Sequence, residues 1–241
     1  MTYQPSRITL PPSYTTSRQA THHMAEHVLS VARHRTSGRI GLRPTPDGIA
    51  TPPFGSSERI VGVRIRESAI EIFDANGAGQ SQSTPVSTAR SAASFLMINA
   101  GAPTRVFLPT TTLDLDSPID ISVDGFQALV DWNTFAESAL CELSSDQSDG
   151  YSAIQLWPEH FDISTDLDEV NFGASPGDEA IPVPYAYVGP WHATPLIGTD
   201  PFWNQPFGAS MTFDAIESID HLVDFYRTGQ RLAAQYKGPR K

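Results

Sequence analysis

The chain has 241 residues, 39% of them hydrophobic, which is enough to bury the core of one large domain. Cys141 is the only cysteine, which excludes an internal disulfide or a cysteine-built zinc cluster, and no apolar stretch has the length of a signal core or a membrane span, so a cytoplasmic protein without membrane association is expected. The net charge of -11 is uneven: residues 1–105 carry eleven arginines against six carboxylates, residues 106–241 carry five basic side chains against twenty-one carboxylates, and so acidic a block repels a phosphate backbone, which argues against nucleic acid as a partner.

The first residues, through about 16, are polar and Pro-rich and read as an irregular arm. Thr16 and Gln19 have capping-box spacing, and a helix to about Arg33 would bury Met24, Ala25, Val28, Leu29 and Ala32. Residues 38–44, the turn signals Pro46, Asp47 and Gly48, and the alternating runs 59–65 and 69–73 predict an antiparallel meander with one wet face. Thr84 and Pro85 read as N-cap and N1 of a second helix to about Met97. A third helix is expected over 124–143, with Phe126, Leu129, Val130, Trp132, Phe135, Leu140 and Leu143 on its apolar face and Cys141 beside them in an unreactive setting. The last helix is expected over 214–236, with Ile216, Ile219, Val223 and Tyr226 at helical spacing.

Between the last two helices, residues 151–210 are poor in helix signals and rich in Pro, Gly and aromatic residues. The fold class this predicts is α+β: an antiparallel or mixed sheet flanked by about four helices, with that long segment folded onto a single domain spanning 1–241. The 59–73 meander and a strand at 153–157 are expected to share a sheet, and some of Arg33, Arg35, Arg39, Arg43, Arg64 and Arg66 to meet carboxylates from beyond position 106.

The runs LWPEHFD, NFGASPGDE, PYAYVGPW and FWNQPFGA, with AEHVLSVARHRTSGRIGLRPTPDGIATPPF upstream, resemble an actinobacterial protein family of unknown function, over about residues 18–235. The resemblance implies a single-domain cytoplasmic bacterial protein and supplies no catalytic residues.

Three constellations carry chemistry. His23, Glu26 and His27 sit on one helix, where residues four apart share a face, so the two imidazoles and the carboxylate are candidate ligands for a divalent metal such as zinc. The same spacing also fits the polar edge of an amphipathic helix. In WPEHFD, Glu159, His160 and Asp162 are candidate acid–base groups beside Trp157; on a strand His160 and Asp162 would share a face, and a carboxylate beside an imidazole can fix its tautomer. In SPGDE the turn 175–177 would present Asp178 and Glu179, and Trp191, Trp203 and Asn204 lie in turns just downstream, a grouping suited to a sugar-like or cationic ligand. These give an enzyme acting on a small polar molecule, by metal-assisted hydrolysis or general acid–base chemistry, as the leading expectation. The alternatives are a small-ligand binding module and an acidic interaction domain; oligomeric state is not readable from the sequence.

Overall fold

The structure, a computed structural model, describes residues 9–56, 59–76, 79–145 and 150–235. By their internal contacts these fall into two compact units. One comprises Leu10–Asp131 and Leu156–Phe161, the other chiefly residues 132–155 and 162–235. The architecture is α+β with antiparallel sheets.

The first unit opens with α1, a continuous helix over residues 14–37 built from α-helical Tyr14–Met24, a π turn Ala25–Leu29, and α-helical Ser30–Ser37. It begins at Ser13 rather than Thr16, and its expected apolar stripe, Met24, Ala25, Val28, Leu29 and Ala32, is buried. Gly38 ends it at φ 69°, returning its N–H to the His34 carbonyl at 2.8 Å, a left-handed closure that favours glycine.

Six strands follow: β1 (Arg43–Thr45), β2 (Gly48–Ala50), β3 (Phe54–Ser56), β4 (Arg59–Arg66), β5 (Ala69–Asp74) and β6 (Gln82–Pro85). They form one antiparallel sheet in the order β1-β2-β4-β5-β6, with β3 also paired to β4. Val63, Ile65 and Ile70 face the core, as the alternation predicts. Arg64 turns to its own sheet, bonding Glu71 at 2.6 Å and Asp47 at 2.8 Å, and Arg66 approaches the same Asp47 at 3.4 Å. Arg35 donates to the Met97 carbonyl. The contacts of these three arginines are thus with residues before position 106 rather than with the carboxylates beyond it that some of the set were expected to meet.

Thr84 and Pro85 do not start a helix. They close edge strand β6, where Pro85 pairs with Ala69 and its missing N–H is tolerated. The helix, α2 (Ala89–Phe95), starts one turn later at Thr88, which forms a reciprocal capping box with Ser91. Residues 98–122 then run without a strand or α-helix to α3 (Val123–Ser145). The α3 residues Phe126, Leu129 and Val130 are buried in this unit, and Trp132, Phe135, Leu140 and Leu143 in the other. Strand β7 (Gln155–Trp157) carries the chain back, and Leu156 makes an isolated antiparallel bridge to Leu42. It does not join the ladder of β4 and β5, so the shared sheet expected for 59–73 and 153–157 does not form.

The second unit contains the ladder β11-β10-β9-β8, made of β8 (Asp162–Leu167), β9 (Val170–Ser175), β10 (Tyr185–Pro190) and β11 (Ala209–Thr212), antiparallel throughout. Asp168 and Glu169 join β8 to β9 with φ of 51° and 64°, the mirror-image turn that matches strand twist. Helix α4 (Ile219–Gln235) packs on β9 and β10. Its start lies beyond the expected Asp214, because Ser218 is the effective cap, accepting the His221 N–H at 3.1 Å. Gly229 brings the helix against β10: a Cβ there would lie 2.7 Å from a Val188 methyl. Ile216, Val223 and Tyr226 are buried as expected. Cys141 is exposed rather than packed with Leu140 and Leu143, since it falls on the solvent side of α3. Among the described residues no helix is long and apolar enough to cross a membrane.

Candidate functional sites

The polar face of α1 is shaped by the π turn. The Ser30 N–H bonds the Ala25 carbonyl five residues back, and the Ser30 hydroxyl takes up the Glu26 carbonyl. All five residues of this turn are buried, so Glu26 and His27, which a 3.6-residue period places at the edge of the apolar stripe, sit inside it. A buried carboxylate needs donors. One oxygen of Glu26 receives the Thr110 N–H at 2.7 Å and the Thr110 hydroxyl at 3.2 Å; the other receives the Thr111 N–H at 2.8 Å and the Thr111 hydroxyl. His27 Nδ1 accepts the Ala102 N–H at 3.1 Å, which leaves Nε2 protonated to donate to the Thr111 carbonyl at 3.1 Å. His23 Nε2 accepts the Asp114 N–H at 3.2 Å. The three expected metal ligands thus spend their lone pairs on residues 102–114. Among the described residues no group of three His, Cys, Asp or Glu side chains is arranged to hold a metal.

The WPEHFD motif is a turn, not a continuing strand. Pro158 removes a ladder donor, the Phe161 N–H bonds the Trp157 carbonyl at 2.7 Å, and Phe161 takes φ 54°. The strand face expected to be shared by His160 and Asp162 therefore does not exist. His160 is exposed, Glu159 and Trp157 are half-buried, and Asp162 belongs to β8 in the second unit. The turn instead meets His22, a residue outside the expected set. The His22 Nε2–H donates to the Pro158 carbonyl at 2.9 Å, its ring stacks on Phe161 with centroids 4.9 Å apart, and Glu26 lies 3.6 Å from the same nitrogen. Burial lowers the His22 pKa against the pull of Glu26. Burial raises the carboxyl pKa of Glu159, whose Oε2 is enclosed without a hydrogen-bond partner among the described residues.

In the second unit Tyr187 donates its hydroxyl to the buried Asp162 carboxylate, with Gly173 directly opposite Tyr187 in the ladder; a Cβ at Gly173 would lie 2.6 Å from the phenol ring. Burial, with the Asp162 charge beside it, pushes the Tyr187 pKa well up, so the phenol stays protonated. The SPGDE turn forms as expected, with Gly177 at φ 101°, but Asp178 is committed: one oxygen accepts the Ala180 and Ile181 N–H groups at 2.7 and 2.8 Å, the other the Tyr185 hydroxyl at 2.6 Å. Glu179 is exposed. Trp191 is 59% exposed and donates to the Asn171 side chain at 3.2 Å.

Trp203 and Asn204 are brought together in a concave site. An open cavity of about 640 Å³ is lined by Thr194, Ile197, Trp203, Asn204, Gln205 and Pro206. Asn204 is held rigid by two bonds to Ser210, its Nδ2 donating to the carbonyl at 3.0 Å and its Oδ1 accepting the N–H at 2.9 Å. The Gln205 and Gly208 backbones bond each other in both directions at 3.0 Å, which closes the turn on the cavity rim. Gly208 has φ 139°, and a Cβ there would lie 2.1 Å from the Val188 carbonyl oxygen, so the turn requires glycine.

No family model, curated protein or solved structure matches the chain, so these geometries stand on their own.

Proposed function

We propose that the chain is a small-ligand binding module whose site is the open cavity lined by Asn204, Gln205 and the edge of Trp203. The observation that carries this reading is the cavity itself: its volume, about 640 Å³, falls within the roughly 300–1,000 Å³ typical of small-molecule sites, and it joins apolar surface to fixed polar groups. By contrast, the acceptors of Glu26, His27 and Asp178 are already used within the fold. The setting implied by the sequence resemblance is the cytoplasm of an actinobacterium. Because the cavity is open, a ligand of about ten non-hydrogen atoms at roughly 0.3–0.4 kcal/mol per atom would bind with a millimolar Kd. Ligand-observed NMR against a library of small polar molecules tests this, with Thr194→Trp filling the exposed mouth. Signals present with the native chain and lost in the variant are expected; signals of equal strength in both would place binding elsewhere.

The acid–base reading keeps one specific observation on its side: Glu159, with its carboxyl pKa raised by burial, stands in the same turn whose Pro158 carbonyl receives His22, with its pKa lowered by burial. Carboxyl and imidazole groups with shifted pKa values in one turn are what acid–base chemistry requires. A carbon-detected titration of the Glu159 carboxyl tests it: a midpoint at the ordinary carboxylate value would remove this reading.

A further inference from the structure

We infer that the ligand of the Trp203 cavity is an uncharged, polyhydroxylated or carboxamide-bearing ring, of which a neutral sugar is the simplest example. This rests on the binding reading above and names its ligand class.

The first ground is the charge of the lining. Thr194, Ile197, Trp203, Asn204, Gln205 and Pro206 include no ionisable side chain, in a stretch of chain where carboxylates are frequent. Asp200, the closest carboxylate along the chain to the Trp203 turn, is already engaged: its Oδ1 accepts the Phe202 N–H at 2.8 Å, and its backbone carbonyl accepts the Trp203 N–H at 3.1 Å. A charged ligand would give up hydration on entering this site and gain no counter-ion, which disfavours both cations and anions. The acidic character of residues 106–241 therefore does not extend to the cavity, and the cationic ligand weighed from the sequence is the less suitable of its two options.

The second ground is the pattern of donors and acceptors. A side-chain amide has two N–H donors and two carbonyl lone pairs. Asn204 spends one donor and one lone pair on Ser210, which leaves one N–H and one lone pair on an exposed amide that cannot rotate freely. A complementary ligand presents an acceptor beside a donor, as two neighbouring hydroxyls or a carboxamide do. The amide of Gln205 and the hydroxyl of Thr194 add groups that both donate and accept, again without charge.

The third ground is the apolar surface between them. Trp203 is held edge-to-face against Phe202, ring centroids 5.0 Å apart, and lines the cavity with Ile197 and Pro206. Trp203 itself is only 4% exposed and backs the site, while the exposed Ile197 and Pro206 offer apolar surface beside the fixed Asn204 amide, which suits a ring with a C–H face and a hydroxylated rim. The Asn204 part of the rim costs little to order, since its bonds to Ser210 set it before the ligand arrives.

The test uses matched probes that differ only in charge: methyl glucoside and N-acetylglucosamine as neutral rings, glucuronate as the anion and glucosamine as the cation. Each is titrated into nitrogen-labelled protein at pH 7 while the Trp203 indole N–H is followed. At least one neutral probe is expected to shift that signal with a Kd at least fivefold lower than either charged probe, and Gln205→Ala is expected to weaken it severalfold without changing the thermal midpoint. A charged probe that binds as tightly as the neutral ones, with Trp203 responding, would overturn the ligand class and leave the binding site standing. No response of Trp203 to any probe would overturn both.

Discussion

Glu26 and Glu159 belong to one unit and are predicted to respond to very different extents when each is replaced by glutamine. At Glu26 the substitution keeps shape and removes an acceptor. The carboxylate receives the Thr110 and Thr111 N–H groups at 2.7 and 2.8 Å and both hydroxyls, whereas a glutamine must turn its NH2 toward one of those N–H groups. A hydrogen bond to a charged group contributes about 1.5–3 kcal/mol, so losing one and weakening the other costs about 2–4 kcal/mol. Thr110 is exposed and Thr111 half-buried, so water can reach a freed N–H, and the lower end, about 2 kcal/mol, is the expected value. For a chain of this length that is a fall of roughly 4–8 °C in thermal midpoint. Glu159 has its carboxyl pKa raised by burial, so Glu159→Gln at pH 5 replaces a group already held toward its neutral form, with an expected change below about 0.5 kcal/mol. Urea denaturation at pH 5, followed by hydrogen exchange of residues 102–114, measures both. A Glu26→Gln midpoint equal to the native one would refute the brace assigned to Glu26.

Stability should also depend on pH through two opposing contributions. The pKa values of His22 and His23 are lowered below the ordinary 6.5, so below that value the unfolded chain binds protons that the folded one refuses, and stability falls as the pH drops from 6.5 through the folded values. Glu159 acts on the other side: with its pKa raised above 4.5, the folded chain holds a proton that the unfolded one releases, so its contribution declines as the pH rises from 4.5 through the raised value. His22→Gln should remove part of the loss on acidification below 6.5, and Glu159→Gln should remove the opposing decline above 4.5, read from chemical denaturation at several pH values. Tyr187→Phe removes a hydroxyl donor from the buried Asp162 carboxylate and is expected to cost about 1.5–3 kcal/mol in the same assay; no change would mean that this bond is not formed in solution. Cys141, exposed but with its thiol pKa raised by partial burial and then by Glu137, should label fully with a thiol reagent, yet more slowly at pH 7 than a free thiol, and Glu137→Gln should speed it.

Long amphipathic patterns were readable. The stripe from Phe126 to Leu143 predicts α3 closely, because many buried side chains repeat one period. Helix starts were not, since Thr16, Thr84 and Asp214 are as suitable for caps as Ser13, Thr88 and Ser218, and tertiary contacts choose among them. The π turn has no signature in a 3.6-residue period, which is why Glu26 and His27 read as an exposed edge and are buried. His22 was missed because its partners, Pro158 and Phe161, lie more than a hundred residues away, and Thr110 and Thr111 act largely through backbone N–H groups that any residue carries. Pro158 did signal a break; the error lay in reading a strand on either side of it rather than a turn. Trp203 and Asn204 fall in an irregular stretch outside the named strands, and both line the cavity.

The central claim is that a small polar ligand occupies the cavity lined by Trp203, and the indole region of a nitrogen-edited NMR spectrum reports on it most directly, since the chain has only four tryptophans, Trp132, Trp157, Trp191 and Trp203. On titration with neutral polar rings, the account predicts a saturable shift of the Trp203 signal with the buried Trp132 signal unmoved. Shifts confined to Trp191 or Trp157, or none at millimolar ligand, would contradict it.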